Sequence, residues 1–119
     1  TIAVSGKPTI YGTTDVSTGL TTPFFALKDN GGNAVTPTPA AANATYWYDV
    51  TLDSGDTTIA IQPTAAAGTI KVNGATVASG AWSSGIAVAS GGSKLLCVTV
   101  QETGKTVKVY RIWVTRPAA

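Results

Sequence analysis

The last strand-like run of the chain, VKVYRIWVTR at residues 107–116, carries apolar residues on both of its faces. Period-two alternation puts Tyr110, Ile112 and Val114 on one side and Val107, Val109, Arg111 and Trp113 on the other. A half-buried strand shows one apolar and one polar face. The second face therefore needs a cover beyond the domain's own core, which points to assembly or binding rather than catalysis. Comparable short β-branched runs recur at 1–4, 8–11, 24–28, 46–52, 57–62, 69–72, 76–78, 85–88, 94–101 and 105–115, separated by Gly, Asn, Asp and Pro clusters. That rhythm predicts an all-β antiparallel sandwich of seven to nine strands. Its core is expected to hold Tyr48, Val50, Ile59, Ile61, Ile70, Val72, Leu96, Val98, Val100, Tyr110, Ile112 and Val114. The Ala runs at 40–42 and 65–67, hemmed by Pro37, Pro39, Pro63 and Gly68, are too short to nucleate a helix.

Two turns follow from residue chemistry. Asn73-Gly74 sits between Ile70-Lys71-Val72 and Ala75-Thr76-Val77, the pattern of a type I′ hairpin, in which both central residues need positive φ. Glu102-Thr103-Gly104 joins the last two strands, with Gly104 in the left-handed position. Residues 29–45, DNGGNAVTPTPAAANAT, show no period and read as one long loop.

Charged residues make up 12% of the chain, about half the usual share, and Thr, Ala, Gly and Val dominate. So sparse a charge suits a secreted or surface-assembled chain better than a crowded cytosol. The net charge of +2 comes from scattered basic residues, which leaves no nucleic-acid footprint. No apolar run reaches the roughly 18 residues of a membrane span, and no charged-then-apolar leader precedes the strands. With Thr at position 1, the chain is expected to be a processed, secreted mature form, extracellular or at the cell surface. Cys97 is the single cysteine, so no disulfide forms within the chain.

From Tyr46 onward several pieces fall in a set order. Tyr48-Asp49-Val50-Thr51-Leu52 precedes Thr57-Thr58-Ile59-Ala60-Ile61 and Ile70-Lys71-Val72-Asn73-Gly74. Ser79-Gly80, Ile86-Ala87-Val88 and Gly91-Gly92 follow, and the chain closes on Tyr110-Arg111-Ile112-Trp113-Val114-Thr115-Arg116. In this order the chain resembles the bacterial cadherin-like β-sandwich domain. Gly19-Leu20-Thr21-Thr22-Pro23-Phe24 is similar to that family's opening segment. The resemblance implies an extracellular Ig-like module with no enzymatic activity, usually one bead of a larger surface protein. The expected organisation is a single domain over 1–119, with strands and a long loop in 1–45 and the cadherin-like core in 46–119.

Candidate chemistry is thin. Without histidine, a Ser, Thr or Cys nucleophile lacks its usual base. Asp53-Ser54-Gly55-Asp56 reads as a turn cap before it reads as an acid–base pair. Asp29-Asn30-Gly31-Gly32-Asn33 offers the oxygen donors that calcium accepts, but not the EF-hand spacing or its closing Glu, so a solvated turn is the simpler reading. Asn43-Ala44-Thr45 is a glycosylation sequon, a triplet that arises often by chance in so Thr-rich a chain. No catalytic residue, cofactor or metal site is expected.

The aromatic residues carry the sharper expectation. With Tyr46, Tyr48, Val50 and Leu52 taken as inward, Trp47 faces out; Trp113 does so beside Val107 and Val109. Placing Leu96, Val98 and Val100 inward turns Leu95 and Cys97 outward as well. Trp47, Leu95, Cys97, Val107, Val109 and Trp113 thus form a candidate interface, and Trp82, in a Gly/Ser-rich turn, a candidate ligand surface. The plainer alternative is that residues 1–28 fold across these faces and bury them within the chain. The Ig-like sandwich is accordingly expected to be a structural subunit of an extracellular assembly, the globular part of a surface filament, pilus or adhesive layer. Its partners would be other protein subunits, with a hydrophobic helix supplied by another chain in a pilus, and residues 1–16 able to reach a neighbour by strand addition. A carbohydrate-binding or adhesion module using Trp47, Trp82 and Trp113 on a glycan, a viral decoration or tail protein, and a spacer domain remain as alternatives. Neither nucleic acid nor direct membrane insertion is expected.

Overall fold

A computed structural model describes residues 16–118; the strands expected at 1–4 and 8–11 lie outside that range. Nine strands form within it: β1 (Phe25–Asp29), β2 (Ala34–Val35), β3 (Trp47–Thr51), β4 (Thr58–Pro63), β5 (Thr69–Val72), β6 (Ala75–Thr76), β7 (Ile86–Ala87), β8 (Ser93–Gln101) and β9 (Lys108–Thr115). They make an Ig-like sandwich of two sheets, one ordered β3-β9-β8-β5-β6 and the other β2-β1-β4-β7. Every apolar residue expected in the core is there, from Tyr48 to Val114, joined by Leu20, Phe25, Leu27, Leu52 and Val88. Alternation alone accounts for this: β8 runs inward at Leu96, Val98 and Val100, and these sit beside Ile112, Tyr110 and Lys108 of β9 in an antiparallel ladder. Across the layers, the Phe25 ring meets Tyr48 edge-on at 4.9 Å.

The β5–β6 hairpin turns on Asn73 at φ 49° and Gly74 at φ 86°, both positive, as a type I′ turn requires. Asn73 adds a second bond of its own, its Oδ1 accepting from Cys97 N at 2.8 Å. Ladders between strands adjacent in sequence are antiparallel, but β3 joins β9 in parallel, Trp47 opposite Arg111 and Thr51 opposite Thr115. The cause is connectivity: β3's sequence neighbours β2 and β4 both belong to the other sheet, so no hairpin fixes its direction. An isolated parallel bridge joins Val16 to Thr106 just before β9, with Ser17 N donating to Thr106 O at 2.8 Å.

Two expectations change. Residues 29–45 are not one structureless loop. Asp29 Oδ1 accepts from Gly31 N and Asn33 N, β2 pairs with β1, and Thr38 bridges to Asp49 through bonds of 2.9 and 2.8 Å. Short polar stretches of this kind carry no period, so the pairing leaves no trace in the pattern. Tyr46, expected inward, is 45% exposed because β3 starts one residue later; its ring leans on Tyr110 at 5.5 Å instead.

The two flanks of the sandwich differ. On one, the Thr38–Asp49 bridge ties the sheets together. On the other, β6 and β7 end their sheets with two residues each.

Candidate functional site

The outer face of the five-stranded sheet gathers the residues singled out by alternation. The β8–β9 register sets Leu95 beside Trp113, Cys97 beside Arg111 and Thr99 beside Val109. The β9–β3 register then sets Trp47 beside Arg111 and Asp49 beside Trp113. Residues directly opposite in a ladder share a face, so Trp47, Leu95, Cys97, Val109 and Trp113 form one surface, the two Trp residues one ladder step apart on adjacent strands. Val107, two residues before Val109, extends it toward the β8–β9 turn. Trp47 is 50% exposed, Trp113 40% and Val107 37%; Leu95, Cys97 and Val109 are half-buried by their neighbours. Covering the remaining surface of each Trp, about 100 Å², stabilises a contact by about 2–3 kcal/mol before ordering costs. Arg111 and Asp49 stand between the rings and supply a polar, orienting element within the apolar patch.

Of residues 1–28, which the plainer reading folds across this face, the described part is 16–28, and it goes elsewhere. Leu20 is fully buried in the core, Ser17 is buried at the turn end of β9, and Phe25 and Leu27 belong to the opposite sheet. Gly19 makes that entry possible. At φ 81° it passes so close to Tyr110 Oη and Lys108 that a Cβ would stand 2.6 Å from Lys108 Cδ. Leu20 N then donates to Tyr110 Oη at 3.1 Å. Burial pushes the Tyr110 hydroxyl above its ordinary value, against the opposing effect of that bond.

Trp82 does not join the platform. It lies between β6 and β7, with Lys28 Nζ of β1 4.3 Å from its ring centroid, a cation–π contact at the other sheet. The three Trp residues therefore offer no common ligand surface.

Several residues that the sequence reading noted for other reasons hold the frame. Asn43, the sequon asparagine, is half-buried; its Nδ2 donates to Thr18 O at 2.6 Å and Leu20 O at 2.7 Å, and its Oδ1 accepts from Lys108 Nζ at 2.5 Å. A glycan on Nδ2 would have to displace those bonds. Glu102 Oε2 accepts from Thr18 N at 2.5 Å and Oε1 from Lys105 Nζ at 2.9 Å, which holds its carboxyl at about 2. Arg116 clamps the far end: Nε and Nη2 donate to Ser54 O and Nη1 to Val88 O. The closing Tyr110 and Arg116 of the sequence motif thus act as braces at opposite ends of one strand.

At the Asp29 turn, the Asn33 N–H bond, with Gly31 N–H assisting, lowers the Asp29 carboxyl below its ordinary value. Its oxygens are engaged by the loop itself. Asp53 and Asp56 close their own turn, Asp56 N donating to Asp53 O and Asp53 N to Asp56 Oδ2. Among the described residues no group of three or more Cys, Asp or Glu is placed to hold a metal ion, and no helix is long and apolar enough to cross a membrane.

The family model described as the cadherin-like beta sandwich domain matches residues 29–117, most of the chain, beginning upstream of Tyr46. No curated protein and no solved structure matches the chain.

Proposed function

The chain belongs to the family of cadherin-like β-sandwich domains, modules that are typically non-enzymatic and usually extracellular, and from that premise we propose that it is a structural subunit of an extracellular or cell-surface assembly. In this reading it is the globular component of a surface filament, pilus or adhesive layer, and the outer face of β3, β9 and β8 docks on a neighbouring protein subunit. The observation that carries the reading is that the inward face of these strands already completes the core, while Trp47, Trp113 and Val107 stand exposed on the other side. Aromatic residues clustered with an arginine and thinly charged surroundings are the composition of interface centres. Supporting it further, the described residues 16–28 turn into the core and do not cross that face.

Replacing both rings tests it. Trp47→Arg with Trp113→Arg puts charge on the patch without touching the core. The double variant is expected to melt cooperatively like the parent, yet to lose self-association or partner co-purification at least tenfold, as read by light scattering and native extraction. Unchanged association would end this reading. A shift of Trp fluorescence on glycan binding to a purely monomeric chain would replace it with the sugar-binding alternative.

A further inference from the structure

On the outward side of β3, β9 and β8, Asp49 and Arg111 are the only charged side chains, so the face is neutral as a whole. The parallel register sets them in a four-residue cell: Trp47 stands beside Arg111, and one step along Asp49 stands beside Trp113. Acid and base therefore occupy one diagonal of the cell and the two rings the other. With strands about 4.8 Å apart and a two-residue step of about 6.6 Å, each diagonal measures about 8 Å between Cα atoms. All four residues are exposed. Among the described residues neither the Asp49 nor the Arg111 side chain has a hydrogen bond or ion pair.

This pattern is complementary to itself. A half-turn about an axis lying in the face, close to the ring diagonal, turns the cell over onto a copy of itself. Asp49 of each copy then falls against Arg111 of the other, and each ring falls against its counterpart in an offset stack. Sheets pack about 10 Å apart face to face, a gap that an Arg reaching toward an Asp, or two Trp side chains, can fill. A partner carrying one sign of charge would set like against like at one corner, and an apolar partner would bury both charges unpaired. A second copy answers both corners at once. The outer faces of the three strands span about 350 Å² in projection, at the small end of specific interfaces, so the contact is weak and reversible.

We propose that the neighbour on this face is a second copy of this chain, docked face to face about a two-fold axis through the cell of Trp47, Arg111, Trp113 and Asp49. The inference rests on the assembly reading above and names the occupant of that face. A two-fold contact uses the same patch on both copies and closes on itself, so it makes a pair, and growth beyond the pair needs a different surface.

Exchanging the charges in the full chain tests it. Sedimentation equilibrium over a concentration series should carry the parent from the monomer mass of 12.0 kDa toward twice that mass. Asp49→Arg alone and Arg111→Asp alone each set like charges together at both corners, and each is expected to weaken the pairing at least tenfold. The double variant, Asp49→Arg with Arg111→Asp, keeps the parent's net charge and is expected to recover its pairing. An equimolar mixture of the two single variants should likewise form a heterodimer. Both sites are exposed, so every variant is expected to melt cooperatively like the parent; if one does not, Asp49→Asn and Arg111→Gln replace the exchanges and should each weaken the pairing. A parent that stays monomeric at its highest soluble concentration, or a double variant as weak as the single ones, overturns the inference. If the exchanges are silent while Trp47→Arg with Trp113→Arg abolishes co-purification with another protein, this inference falls and the reading of the face as an interface stands. Self-association that survives the Trp changes ends both.

Discussion

Glu102 shows how a single carboxylate ties the entry of the chain to its last hairpin. Folding presents it with the Thr18 N–H and the Lys105 ammonium, and its carboxyl is held at about 2 against an ordinary 4.5. The unfolded chain takes up its proton near 4.5 while the folded chain resists until about 2, so the stabilisation is whole above 4.5 and is lost as pH falls toward 2. Thermal melts of the parent and of Glu102→Gln are therefore expected to differ at pH 7 and to converge between pH 4.5 and 2. A gap that stays constant over that window would sever the link. Residues of this type were illegible in the sequence for a plain reason. Apart from the bond of Glu102 to Lys105, the side chains of Asn43, Glu102 and Arg116 act on partners 23 to 84 positions away, such as Leu20, Thr18 and Ser54, and no local spacing encodes that distance. Asn73-Gly74 was legible because its chemistry is local, although the grip of its side chain on Cys97 N was not.

Among the elements, β8 is paired on both sides, by β9 from Ser93 to Val100 and by β5 from Val98 to Gln101. Strands β6 and β7 are two residues long and sit at edges. Hydrogen exchange is expected to follow: amides of Val98 and Val100 should be protected by at least a hundredfold more than those of Thr76 and Ala87, because opening the centre of the sheet requires global unfolding. Equal protection would mean that the β6–β7 flank is held as firmly as the centre of the sheet. Long strands with strict alternation, β8 and β9 above all, announced themselves in the sequence. The two-residue β2 did not, since pairing of so few residues is decided by what β1 offers it and not by its own pattern. The parallel β3–β9 pair was hidden likewise, because direction depends on the path between sheets.

At the scale of the whole molecule, one strand turns one face to the core and the other to the proposed contact. Ile112 is fully buried, and Ile112→Ala is expected to cost about 2–5 kcal/mol in urea unfolding. Its neighbour Trp113 points the other way and is 40% exposed, so Trp113→Ser should cost about 1 kcal/mol or less. Equal costs would make the outer face part of the fold and not a surface held ready for another protein. The sandwich itself and the cluster of candidate interface residues could be read from alternation, since both follow from which way successive side chains point. That Trp82 stands apart from the other two could not, for it depends on the sheet order that carries Lys28 to its ring.

The parallel bridge at Val16 has a mechanical consequence. Ser17 donates to Thr106 where the described chain comes in, and the same strand, β9, carries the chain out past the Arg116 clamp. Tension applied between these two points drags the entry segment and β9 lengthwise past each other, in opposite senses. The Ser17–Thr106 bond lies across that pull and is loaded in shear, not opened end-on. In the proposed assembly, a subunit under traction would resist first at that bond.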